Sequence, residues 1–183
     1  MRITPLKIAG SAIVQAEPRG DERGMFARWF CREELAGLIG ERQIVNINYS
    51  RTEFVGTIRG MHYQYQPALE MKLLRCIRGA VYDVIVDLRE GSPTFLQWHA
   101  ERLDPANMKM LVVPEVVAHG FQVIEPGTEM LYLNTAAYAS EHEGGVRFDD
   151  PLVGIDWPLA ATGVSDRDGA HPLLDPSFTG IKV

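Results

Sequence analysis

Residues 59–66 read RGMHYQYQ, with an arginine, a histidine, a tyrosine and two glutamines packed between apolar–polar alternating flanks. His62 carries the most chemistry. An imidazole titrates near neutral pH and can take a proton if a second group fixes its tautomer. A carboxylate bonded to the other ring nitrogen does this and stabilises the imidazolium, and Asp168, in SDRD, is a candidate for that partner. Tyr132, in EMLYLN, is a candidate acid for the opposite face of a substrate, and Lys72, at the head of KLLRCIRG, is a candidate fixed cation. Taken singly, each of the four is more often structural: a core histidine, a core tyrosine, a solvated charge at a strand edge.

The elements that must hold these groups are mostly strands. CREELAGLIGERQ is the best helix, with Leu35, Leu38 and Ile39 near helical spacing. From residue 44 onward the chain reads as short strands between turn signals. KLLRCIRGAVYDVIVDLREGSP reads as two strands broken at Gly79, and Pro126-Gly127 as a hairpin turn between two more. VRFDDP continues the strand pattern, and SDRDGAHP reads as a turn. Many short strands at roughly 8–12-residue spacing predict an all-β sandwich or barrel, of the jelly-roll and cupin kind whose interior holds a ligand. Alternation in RGMHYQ predicts Arg59, Met61 and Tyr63 on one face, and Gly60, His62 and Gln64 on the other.

Cupin-type barrels often bind metal through His-x-His, a glutamate and a later histidine. Here the triplet is His62-Tyr63-Gln64, so glutamine stands at the second ligand position. His119 and Glu70 alone add little to a transition-metal site, and no metal is expected.

The 183 residues fit one domain, residues 1–183, with a sizeable core. Formal charge is −6, from 18 Lys+Arg against 24 Asp+Glu. That argues against nucleic acid or an anionic membrane as the main partner, while leaving room for a local basic pocket. No apolar run approaches the ~18 residues a membrane span needs, and MRITPLKIAG does not read as a signal peptide. Cys31 and Cys76 make neither a disulfide framework nor a zinc motif and read as packing residues in a reducing cytoplasm.

Read together, these stretches resemble the dTDP-4-dehydrorhamnose 3,5-epimerases. DERGMF, NINYSRTEFVGTIRGMHYQ, KLLRCIRGAVYDVIVDLREGSPTF, VPEVVAHGFQV, YASEHEGGVRFDDP, GIDWPL and SDRD follow one another in the family's order, almost end to end. The resemblance implies a cupin fold, a double-stranded β-helix jelly roll with a few short helices. It implies epimerisation at C3 and C5 of a nucleotide-linked 4-keto-6-deoxyhexose, without metal or cofactor. His62 matches the base, Asp168 its orienting partner, Tyr132 the acid and Lys72 the cation near the enolate oxygen. Arg23, Arg59, His119, Glu143 and Arg167 match positions that hold the sugar nucleotide. Asn48 and Asn46 match a polar pair near the nucleotide, and Tyr138 a conformation-sensing tyrosine beside the sugar. Homodimers with exchanged N-terminal strands follow by the same resemblance.

Two departures stand out. Arg28 occupies the place of a family glutamate that contacts the nucleotide base, and QYQPALEMK replaces a Pro-Pro-His-rich loop. Both point to a related sugar nucleotide or to reaction at one carbon only. The alternatives are a C3-only epimerase, a 3,4-ketoisomerase on the same fold, and a non-catalytic sugar-nucleotide-binding module.

Overall fold

Runs of β-branched and aliphatic residues interrupted by Gly, Pro and Asp set short extended segments. A computed structural model, which describes residues 1–183, folds them into two facing sheets. The N-terminal part supplies β1 (Arg2–Pro5), β2 (Ala12–Gln15), the small hairpin β3 (Arg19–Asp21) and β4 (Gly24–Phe26), and helix α1 (Arg32–Ile39). The body of the fold is β5 (Asn46–Thr52), β6 (Ile58–Gln64), β7 (Lys72–Arg78), β8 (Val81–Asp87), β9 (Trp98–Leu103), β10 (Lys109–Val113), β11 (Val117–Val123) and β12 (Thr128–Asn134). A short β13 (Glu143–Gly145) and the one-turn helix α2 (Asp166–Gly169) complete it.

One sheet has the order β1-β2-β10-β7-β12-β5, the other β13-β6-β11-β8-β9. Through the body the chain passes back and forth between them, which makes the cupin-type jelly roll. This bears on two breaks in the sequence pattern, at Gly79 and at Pro126-Gly127, and corrects the second, which reads from sequence as a hairpin. The strands flanking Gly79 do not pair with each other: β7 lies in the first sheet and β8 in the second. The strands flanking Pro126-Gly127 likewise part, β11 to the second sheet and β12 to the first. Turn chemistry is local, whereas the choice of pairing partner is made by distant strands. VRFDDP is not a strand either; the extended segment is β13, just before it, and residues 148–149 turn.

Over their central strands both faces of both sheets are covered, so strand alternation there separates two apolar layers and not a wet face from a dry one. Leu74, Cys76, Ile85, Phe121 and Met130 meet between the sheets. Leu73, Met110, Val112 and Leu133 point the other way and pack under Leu35 and Ile39 of α1. Met61, Val84, Val86 and Ala118 turn outward beneath Val146 and Val153 of the C-terminal segments. No helix is long and apolar enough to cross a membrane.

Candidate active site

On β7 the inward positions are Lys72, Leu74 and Cys76, and on β12 they are Asn134, Tyr132 and Met130. The apolar ends join the core between the sheets. The polar ends open into a cavity of about 740 Å³.

β6 forms one wall. Its alternation holds for Met61 and Tyr63, which join the outer apolar layer, and for His62 and Gln64, which line the cavity. Arg59 departs from the expected face and lines the cavity as well. The pairing of β6 with β11 shifts register between His119 and Phe121, which resets the alternation there. Glycine is required at this point. Gly60 has φ +124°, and a Cβ on it would lie 2.5 Å from the Cα of Gly120 on β11.

His62 is bonded through Nε2 to Asp168 Oδ1 at 2.8 Å. An ionised carboxylate only accepts, so the proton sits on Nε2 and the Nδ1 lone pair is free to act as a base. Asp168 is held in turn by α2. Its amide donates to the N-cap Ser165 Oγ, and its Oδ2 accepts from the Gly60 amide at 3.1 Å. Burial alone would raise this carboxyl. The bonds from His62, Gly60 and Ser165 outweigh burial and hold it below the usual carboxylate range.

A second histidine–carboxylate pair stands beside the first. His119 faces His62 across the β6–β11 ladder and is bonded through Nε2 to Asp83 Oδ1 at 2.8 Å. Asp83 is fully buried, and burial pushes its carboxyl up against the pull of His119.

The other wall belongs to the first sheet. Tyr132 shares a 2.9 Å hydrogen bond with Ser50 Oγ of β5, and burial pushes its phenol up to about 12. It therefore stays protonated and able to donate over the whole physiological range. Lys72 reaches in from the start of β7, with Nζ 3.4 Å from Glu70 and 3.4 Å from the carbonyl oxygen of His62. Burial drives it toward the neutral amine, and Glu70 opposes that. Arg59 donates to Thr52 Oγ1 at 2.9 Å. At the rim, Tyr138 donates to Glu143 Oε2 at 2.8 Å, and Arg167 pairs with the same carboxylate.

Of the residues singled out from sequence, His62, Asp168, Tyr132, Lys72, Arg59, His119, Asn48, Tyr138, Glu143 and Arg167 line this one cavity. Arg23, Arg28 and Asn46 do not. Arg23 is 84% exposed at the β3–β4 turn and paired with Asp21. Arg28 pairs with Glu34 of α1. Asn46 donates to the carbonyl of Ala136 and braces the loop behind the rim. Gln64, at the second position of the His-x-Gln triplet, is committed to backbone. Its amide donates to Ala68 and Ala137, and its carbonyl accepts from Ala139. One group of three potential metal ligands exists, His62, Asp168 and His171, with ligand atoms within 4.8 Å of one another. Within it His62 and Asp168 are already bonded to each other.

Sequence reasoning overlooked Asp83, Ser50 and Thr52, which orient His119, Tyr132 and Arg59. It also overlooked Ser165. The Ser165-x-x-Asp168 spacing is a helix N-cap signature that signals an ordered turn at SDRD.

An aspartate-held histidine on one sheet, faced by a phenol and an ammonium on the other inside a jelly roll, defines a cupin-type epimerase. The family model described as dTDP-4-dehydrorhamnose 3,5-epimerase matches residues 5–176, and the chain belongs to that family. It is 38% identical to a dTDP-4-dehydrorhamnose 3,5-epimerase of Sinorhizobium fredii, over 100% of this chain and 96% of the relative. It is 37% identical to a dTDP-4-dehydrorhamnose 3-epimerase of Streptomyces niveus, over 95% and 84%. Among solved structures, a 3,5-epimerase of Legionella pneumophila in complex with dTDP-4-keto-L-rhamnose superposes with a TM-score of 0.89 at 34% identity, covering 100% of this chain and 98% of that one.

Proposed function

We propose that the protein inverts C3 and C5 of a dTDP-linked 4-keto-6-deoxyhexose by enolisation and reprotonation from the opposite face. The observation that carries this reading is the placement of His62 and Tyr132 on facing sheets of one cavity. The C4 ketone acidifies the hydrogens on its neighbouring carbons. His62 Nδ1 takes one of them, and the C–H electron pair moves onto the C4 oxygen as an enolate. Asp168 stabilises the imidazolium that results. The Lys72 ammonium faces the new oxyanion, a charge that exists mainly in the transition state and intermediate, so its benefit falls on turnover. Tyr132 then donates its phenolic proton to the carbon from the far side. Solvent restores the phenol and removes the proton from His62. Base, acid and cation are all side chains of the chain, so no step is assigned to a metal or cofactor.

Arg59 and Arg167 supply guanidinium groups for the pyrophosphate, which they suit by bidentate geometry, and Asn48 faces the nucleotide. A thymidine nucleotide is supported by the ligand of the Legionella relative. The protein acts as a homodimer in the cytoplasm. β5 is a sheet edge that exposes Ile47 and Tyr49, and the β3–β4 hairpin exposes Met25 and Phe26. Pairing of N-terminal strands across two copies would cover these surfaces and carry Arg23 and Arg28 toward the neighbouring cavity. Two free thiols, Cys31 and Cys76, fit a reducing compartment.

The test is incubation of the purified protein with dTDP-4-keto-6-deoxyglucose in deuterated water, followed by NMR of the product. Deuterium at C3 and C5 with inversion at both is expected, and no exchange at either carbon overturns the reading. Inversion at C3 alone would align the protein with its Streptomyces niveus relative, named a 3-epimerase.

A further inference from the structure

Glu70 lies in the loop that leads into β7. It is 8% exposed and lines the cavity, yet the chemistry above gives it no task. Buried carboxylates are rare unless paired, and its neighbour is Lys72, two positions on. Oε2 stands 3.4 Å from Nζ, with both side chains largely shielded from water.

The other acids of the cavity are engaged elsewhere: Asp168 by His62, and Glu143 by Tyr138 and Arg167. Asp83, behind the wall, is taken by His119. Glu70 alone forms an ion pair with Lys72. The groups that face this pair come from two strands. Asn134, opposite Lys72 on β12, lies against the Glu70 carboxyl. The carbonyl oxygen of His62 on β6 accepts from Nζ. Burial pushes the Glu70 carboxyl up, and Lys72 is the strongest of the groups that oppose it.

An ammonium has three N–H groups. One is directed to Glu70 and one to the carbonyl of His62, which leaves the third for the cavity. We propose that Glu70 is the counter-ion that keeps Lys72 an ammonium and aims its free N–H at the substrate, a positioning residue that acts on the reaction through the lysine. The inference rests on the reading of Lys72 as the cation beside the enolate oxygen.

The sign follows from the two opposing influences. Burial lowers the Lys72 pKa, and the Glu70 charge raises it. Removing that charge lets the lysine lose its proton at lower pH, by about one unit or more for an opposite charge this close. Glu70→Gln keeps size and shape while deleting the charge. The alkaline limb of its kcat–pH profile is expected about one unit or more below wild type, with KM little changed. Glu70→Asp, which restores the charge, should return the limb toward the wild-type position.

Lysine-selective isotope labelling, with NMR titration of the Lys72 ε-methylene in wild type and Glu70→Gln, reads the proton directly and without substrate. A titration that moves down while the rate profile stays put supports the ion pair and discards the enolate role of Lys72. A titration that does not move overturns the proposal. If Glu70→Gln does not fold, Lys72→Met and Lys72→Met with Glu70→Gln are compared by thermal melting. The double variant should melt higher, because the single one strands a buried carboxylate; equal or lower melting overturns the pairing.

Discussion

His62 and His119 stand directly opposite each other on β6 and β11, and each is held through Nε2 by a different carboxylate at 2.8 Å. The two carboxylates differ in their settings. Asp168 is kept ionised by a set of hydrogen bonds, whereas Asp83 is walled off from water and its carboxyl is pushed up. The carboxylate better kept ionised therefore stands behind His62.

This asymmetry makes a prediction for the dyad. His62→Ala should slow both solvent exchange and epimerisation by roughly 10²–10⁴-fold, the usual worth of a general base. Asp168→Asn should also lose activity while keeping the cavity, because the amide no longer fixes the tautomer or stabilises the imidazolium. Initial rates by NMR in deuterated water check both. Full activity in His62→Ala would remove it from the mechanism.

Removing the acid should separate exchange from inversion. Tyr132→Phe deletes the phenol and leaves the ring packed near Ser50. His62 can still lift a proton and return deuterium to the same face, so wash-in at the abstracted carbon should persist. Inversion should fall by about 10²–10⁴-fold. Equal loss of exchange and inversion would assign Tyr132 to another step.

The fold itself has a pH-sensitive brace away from the cavity. Asp87, at the end of β8, is fully buried and accepts from Arg89, Ser92 and Thr94. Burial alone would raise its carboxyl, but these bonds prevail and hold it at about 2. A depressed carboxylate stabilises the fold above its unfolded value of about 4, and that stabilisation is lost as pH falls through about 2. Asp87→Asn should cost about 3 kcal/mol at neutral pH. The gap to wild type should narrow as pH is lowered from about 4 toward 2, read by urea denaturation at several pH values.

Assembly is open to a direct check. Light scattering at micromolar concentration should return twice the chain mass. Ile47→Arg, a charge placed on the exposed edge strand β5, should shift the protein toward monomer and weaken nucleotide binding, if Arg23 or Arg28 of one copy serves the other. A wild-type monomer would count against exchanged N-terminal strands.

Much of this architecture was legible in the chain because it is written at short range. The strand segments, the break at Gly79 and the outward turn of Met61 and Tyr63 follow from composition and alternation. His62, Tyr132 and Lys72 were visible as polar residues on apolar strands. What was not legible depends on register between distant strands. Arg59 reaches the cavity through the shift opposite His119 and Phe121, which no local pattern encodes. The false hairpin at Pro126-Gly127 arose the same way, since turn residues do not say which sheet the next strand joins. Asp83 looked like one polar position in VYDVIVD, and only the pairing of β8 with β11 sets it under His119. Glu70 reads only as a candidate metal ligand, because nothing in the local pattern shows that its carboxylate meets Lys72.

The bond between His62 and Asp168 spans 106 residues of chain. A nascent polypeptide released or stalled before SDRD is made carries the base, the phenol and the ammonium, but nothing to point the imidazole. On the proposed mechanism, such a chain lacks the orienting carboxylate and cannot catalyse deprotonation.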